Sequence, residues 1–273
     1  MGELKTHMPF GDDEIAEVPL SRAPLLRVLT QLRFPPLVVL NKTSMPATLA
    51  PVLQQLGKDY PISEEGHEVQ VEIGPEGMRQ TPGGSLVTLA NANKTWQVTI
   101  GTSFLSLQTS AYVSRQDFVR RLSTVLQALV SHVSIPYFER IGFRYTNRVE
   151  DPAQLQDIER LVHPALLGGY SPSTSGSVKM RHSMSETLYQ LDDKMLGARW
   201  GFLPPGGSMD PSLPAANSRS WVFDLDAYTE VQLDPEPISS VEARVSELSE
   251  AAYRYFRWGV TDEFIKTFRD ESE

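Results

Sequence analysis

Cysteine is absent from all 273 residues, which removes disulfides, thiolate metal ligands and a cysteine nucleophile together. Long apolar runs are absent too: none approaches the roughly 20 residues that cross a bilayer. The opening stretch carries early acids and no apolar core, so no secretory signal is expected. Histidine is scarce, and His7, His67, His132, His163 and His182 stand at no metal-ligand spacing. His182 alternates with Met180 and Met184 and reads as a partly buried sheet residue. There is no phosphate-cradling glycine loop, no dinucleotide fingerprint and no nucleophile elbow. No cofactor is therefore expected.

Positive charge is in deficit. A net charge of −9 and a pI of about 5.1 weigh against nucleic-acid binding, which phosphate neutralisation drives. The apolar share of 40% and charged share of 22% suit a folded chain, and a cytoplasmic compartment is the expectation.

What is present is pattern. Residues 1–22 read as a polar arm. Leu25–Phe34 alternates with period two, setting Arg27, Gln31 and Arg33 on one side. Ala47–Leu56 has helical spacing. Strands follow at His67–Ile73, Ser85–Ala90, Thr95–Gly101 and Phe104–Thr109, with turn clusters between them that include Pro82-Gly83-Gly84. Gly101 is either a bend in one long strand or its end. Ser114 can cap a helix from Arg115 to about Val133, striped by Phe118, Leu122, Val125 and Leu129.

From Tyr137 the order repeats: a strand at 138–149, a helix from Pro152 to about Val162, and a loop rich in Gly, Ser and Pro at 168–177. Strands come next at Val178–Leu188, Met195–Phe202 and Trp221–Tyr228, the last two separated by a Pro/Gly loop at 204–217. A helical seam through Ile238, Val241, Val245, Leu248, Ala252 and Tyr255 ends at Gly259, and Thr261 caps a last short helix. These elements predict an α+β fold, mainly antiparallel sheet with helices packed on one side. The halves are 23–135 and 136–273, sharing one continuous sheet or, alternatively, forming two domains joined near Pro136.

Chemistry concentrates in the second half. Strand 138–149 puts Arg140, Arg144 and Arg148 on one face, spaced by about 13 Å per four residues. Lys179 and Arg181 lie on the next strand and Arg199 on the one after. Together with Arg27 and Arg33 these form a candidate anion-binding face, because the guanidinium fork suits phosphate and carboxylate. The competing reading pairs the arginines with Asp224, Asp226 and Glu186. Asp224 and Asp226 share one strand face, which suits ion pairing or, more weakly, a hard cation.

Gln31–Pro36, Phe104–Leu107, Glu139–Arg148 and Phe223–Asp226 resemble, over nearly the whole chain, a sporadically distributed family of uncharacterised bacterial proteins. The resemblance implies no enzymatic activity and no catalytic residue. Patchy distribution implies accessory loci, where antitoxins, immunity factors and defence components occur. The expectation is a noncatalytic binding protein that recognises an anionic ligand or protein on the arginine face, with a protein partner or homo-oligomer. Alternatives are an antitoxin-like or immunity-like interaction protein and, last, a phosphate-handling enzyme built on Asp224 and Asp226.

Overall fold

The computed structural model describes residues 8–11, 15–74, 77–170 and 179–269, with backbone alone for 69–74 and 77–82. It is an α+β fold whose nine strands form one antiparallel sheet. The first half supplies β1 (Leu25–Arg33), helix α1 (Met45–Leu56), β2 (Ile62–Gly74), β3 (Gly77–Ala90), β4 (Trp96–Gly101), β5 (Phe104–Thr109) and helix α2 (Arg115–Val130). The second supplies β6 (Arg140–Val149), short helices α3 (Pro152–Gln156) and α4 (Ile158–Leu161), β7 (Ser183–Leu191), β8 (Lys194–Leu203), β9 (Ser220–Thr229), then α5 (Ile238–Gly259) and α6 (Asp262–Phe268). The sheet order is β2-β3-β4-β5-β1-β6-β9-β8-β7. In each half, a meander thus brings its last strand beside its first.

Two compact units divide the chain, and neither is a continuous segment. One comprises Met1–Val28, Arg144–Ala227 and Leu248–Glu273; the other comprises Leu29–Phe143 and Tyr228–Glu247. Within the second unit, α2 buries Phe118, Leu122, Val125 and Leu129 against the sheet. The Phe118 ring lies 5.6 Å from Trp96 and 5.2 Å, edge-on, from Phe143. Ser114 accepts a hydrogen bond from the Asp117 amide and so caps this helix. Within the first unit, Tyr145, Phe223, Leu225, Leu248, Ala252 and Tyr255 are buried together. Full burial of such side chains contributes about 1.5–3 kcal/mol each, so these two apolar clusters anchor the helices.

Several expectations are corrected. Pro82-Gly83-Gly84 is not a turn; it lies inside β3, with Pro82 opposite Val69 where the β2 register shifts between His67 and Val69. A strand accommodates a donorless proline at such an irregularity. The reversal comes instead at Gly74 and Gly77. At Gly101, by contrast, the expected strand end holds and the bend does not: Gly101 ends β4, and β5 turns back to pair with it. The helix after Pro152 is two short pieces, broken at Asp157, where φ −93° and ψ 12° leave the helical region. The strand read from Val178 begins at Ser183, and residues 171–178, which include part of the preceding loop, lie outside the described residues. His182 is exposed just ahead of that strand rather than partly buried within it. Parts of the 1–22 arm, residues 1–7 and 12–14, also lie outside the description.

Candidate functional site

Strand β6 separates two chemistries by its pleat. Ile141, Phe143, Tyr145, Asn147 and Val149 are buried on one face, and Arg140, Gly142, Arg144, Thr146 and Arg148 share the other. The three arginines of that line go to three different environments.

Arg144 is the centre of a cluster. Its Nε and Nη2 donate to Asp224 Oδ1 and Oδ2 at 2.7 and 3.0 Å, a two-pronged fork, while Nη1 reaches Asp210 Oδ2 at 3.2 Å. Arg199 on β8 donates from Nη2 to Asp224 Oδ2 at 2.7 Å, and Thr146 Oγ1 donates to Asp224 Oδ1 at 2.8 Å. From β1, Arg27 Nη2 meets Asp210 Oδ2 at 2.5 Å and Nη1 meets Ser212 Oγ at 2.8 Å. Burial works to lower the Arg144 pKa, but the hydrogen bonds and charge of Asp224, with Asp210 and Asp226, outweigh it and hold the pKa above its usual value. Asp226 therefore contributes to the cluster through its charge.

Arg148 donates to the Pro214 carbonyl and pairs with Glu150. Arg140 lies over the Tyr228 ring, with Cζ 4.2 Å from its centroid, a cation–π contact. Gly142 gives it room: a Cβ there would stand 3.0 Å from Arg140 Nη1, a tight approach to the end of that side chain. Arg33 is exposed and donates to Gln31 Oε1 at 3.1 Å. Arg181 is exposed ahead of β7. Of the seven arginines singled out in the sequence, the structure gathers Arg27, Arg144 and Arg199 around two carboxylates, with Arg148 at the loop's far end. Arg33 and Arg181 are exposed, and Arg140 packs on Tyr228.

The two carboxylates differ. Asp224 sits within β9 with 1% of its side chain exposed, and both oxygens are engaged by sheet residues. Removing one partner of such a buried pair generally costs about 3–5 kcal/mol, so Asp224 belongs to the framework. Asp210 comes from the loop between β8 and β9 and keeps 16% of its side chain exposed. That loop is closed at its neck by Gly206 N donating to Ala216 O at 2.8 Å, and it lies against the arginines. Asp210 Oδ1 accepts from Ser212 N at 2.9 Å and Oγ at 2.6 Å, a local turn built by Asp-Pro-Ser. Asp210, Ser212 and Thr146 were missed in the sequence, although the Asp-Pro-Ser turn was a readable signal.

Among the described residues, no three His, Asp or Glu side chains come together to hold a metal ion. Asp224 accepts five hydrogen bonds from three side chains, Arg144, Arg199 and Thr146. No helix among the described residues is long and apolar enough to cross a membrane. No family model and no curated protein matches the chain. The site geometry therefore carries the functional argument alone.

Proposed function

We propose that this chain is a noncatalytic binding protein that receives an anionic group, a carboxylate or phosphate of its partner, on Arg27, Arg144 and Arg199. The observation behind this reading is the position of Asp210. Two strand arginines each place one guanidinium nitrogen on Oδ2 of a carboxylate that arrives on a surface loop, the charge-assisted contact that also suits a bound anion. Asp210 acts as the internal occupant, and the partner's anion takes its place. Asp224 stays with the sheet and orients Arg144 and Arg199.

Calorimetric titration with inorganic phosphate tests this. Replacing Asp210 by Asn removes the competing charge while keeping the side-chain shape. Asp210→Asn should bind phosphate at least about tenfold more tightly than wild type, a change of about 1.4 kcal/mol. The gain should vanish when Arg199→Gln is added. Equal binding by wild type and Asp210→Asn, or no binding by either, refutes the reading.

A further inference from the structure

The two outer strands of the sheet, β2 and β7, are built differently. β2 carries Glu64, Glu65, Glu68 and Glu72, and its register with β3 shifts between His67 and Val69. Charges and bulges are the devices by which sheets deter further edge pairing. β7 lacks both. Its sequence, Ser-Met-Ser-Glu-Thr-Leu-Tyr-Gln-Leu, contains no proline, lysine or arginine, and its one charge is Glu186. Its register with β8 runs unbroken from Ser183↔Phe202 to Leu191↔Lys194. Among the described residues no strand pairs with its outer side. On one face it exposes Met184 at 40% and Leu188 at 57%.

The flanks of β7 say what fits it. Lys179, Arg181 and His182 precede the strand, and Asp192 and Asp193 follow it, all exposed. The strand is positive at its start, and past its end lie Asp192 and Asp193, the latter paired with Lys194 at 3.6 Å. An antiparallel partner with the same sequence reverses that order and meets it with opposite charge at both ends.

We infer that β7 is a self-association edge, pairing antiparallel with β7 of a second copy about Thr187. In that register Thr187 faces Thr187, Glu186 faces Leu188, Ser185 faces Tyr189, Met184 faces Gln190 and Ser183 faces Leu191. Leu188 of each copy then has Leu188 and Met184 of the other as diagonal neighbours, within reach across a strand pair. Arg181 and His182 fall beside Asp193 and Asp192 of the second copy. The arrangement is a closed two-fold contact, which consumes both edges and leads to no fibre. It is independent of the arginine cluster and of the anion reading.

The absence of cysteine makes the test clean. Opposed residues in an antiparallel pair have Cα atoms about 4.5–5.5 Å apart, inside the disulfide range. Under mild oxidation Thr187→Cys should give a covalent dimer. Met184→Cys, whose two copies would lie about 20 Å apart at the usual strand rise, should not. Wild type should sediment at twice the 30.5 kDa of one chain. Leu188→Lys, a change at an exposed position, should raise the dimer dissociation constant about tenfold or more with an unchanged circular dichroism spectrum. Arg181→Glu should weaken the dimer and Asp193→Lys added to it should restore it. A monomeric wild type, equal crosslinking at 184 and 187, or a dimer indifferent to Leu188→Lys overturns the inference.

Discussion

Two aspartates illustrate how residues of one type come to do different work. Asp224 was legible as a partner for the arginines, because alternation along β9 and β6 sets charges on the same sheet face. Its choice of Arg144 and Arg199 was not legible, since it depends on β6, β9 and β8 lying in that order. Asp210 was hidden more deeply, because its bonds to Arg27 and Arg144 span 183 and 66 positions of sequence. Burial disfavours the Asp210 carboxylate, but hydrogen bonds from Ser212 and Arg27 outweigh it and hold its pKa below the usual 3.8. A depressed folded-state pKa gives stability that is present above the unfolded value and lost as pH falls below it. Wild type should therefore exceed Asp210→Asn in urea midpoint at about pH 6, and the gap should close as pH falls below about 4. A gap that widens on acidification would contradict the assigned bonds.

Among elements, those with long unbroken periodicity were read well, and those settled by a single backbone irregularity were not. Leu25–Arg33, Phe104–Thr109 and the seam of α5 lie close to where their patterns put them. Pro82-Gly83-Gly84 misled because a register shift in the facing strand, invisible in composition, lets the cluster remain in β3. The hairpin of β7 and β8 rests on a similar local demand at Gly201. Its φ of +146° excludes ordinary side chains, and a Cβ would come 1.9 Å from the Ser183 carbonyl oxygen. Gly201→Ala should cost about 3 kcal/mol or more, seen as a lowered urea midpoint, and should speed amide exchange in Ser183–Leu191. An unaltered midpoint would mean that the strand start is held differently.

For the molecule as a whole, element order was legible and the grouping of elements was not. The repeated strand-helix-meander-helix order follows from periodicity, whereas the compact units draw on distant stretches. The unit that contains Arg144–Ala227 also requires the chain's start. Pro24 O accepts from Arg148 N at 2.7 Å, Arg27 reaches Asp210, and Val18 N donates to the Tyr253 hydroxyl at 2.7 Å. A chain beginning at residue 136 lacks all three contacts. It should show no cooperative thermal transition by circular dichroism, and a sharp one would establish that the second half folds alone.

The place of β1 also shapes how the protein is made. It leaves the ribosome well before either of its sheet neighbours, β5 and β6, which are encoded downstream. At the usual elongation rate of about 5–20 residues per second, β6 follows by about 5–20 s. Through that interval Val28, Leu32 and Phe34 await the strands that will bury them. A nascent chain that stops short of β6 therefore carries β1 with one of its two sheet neighbours missing.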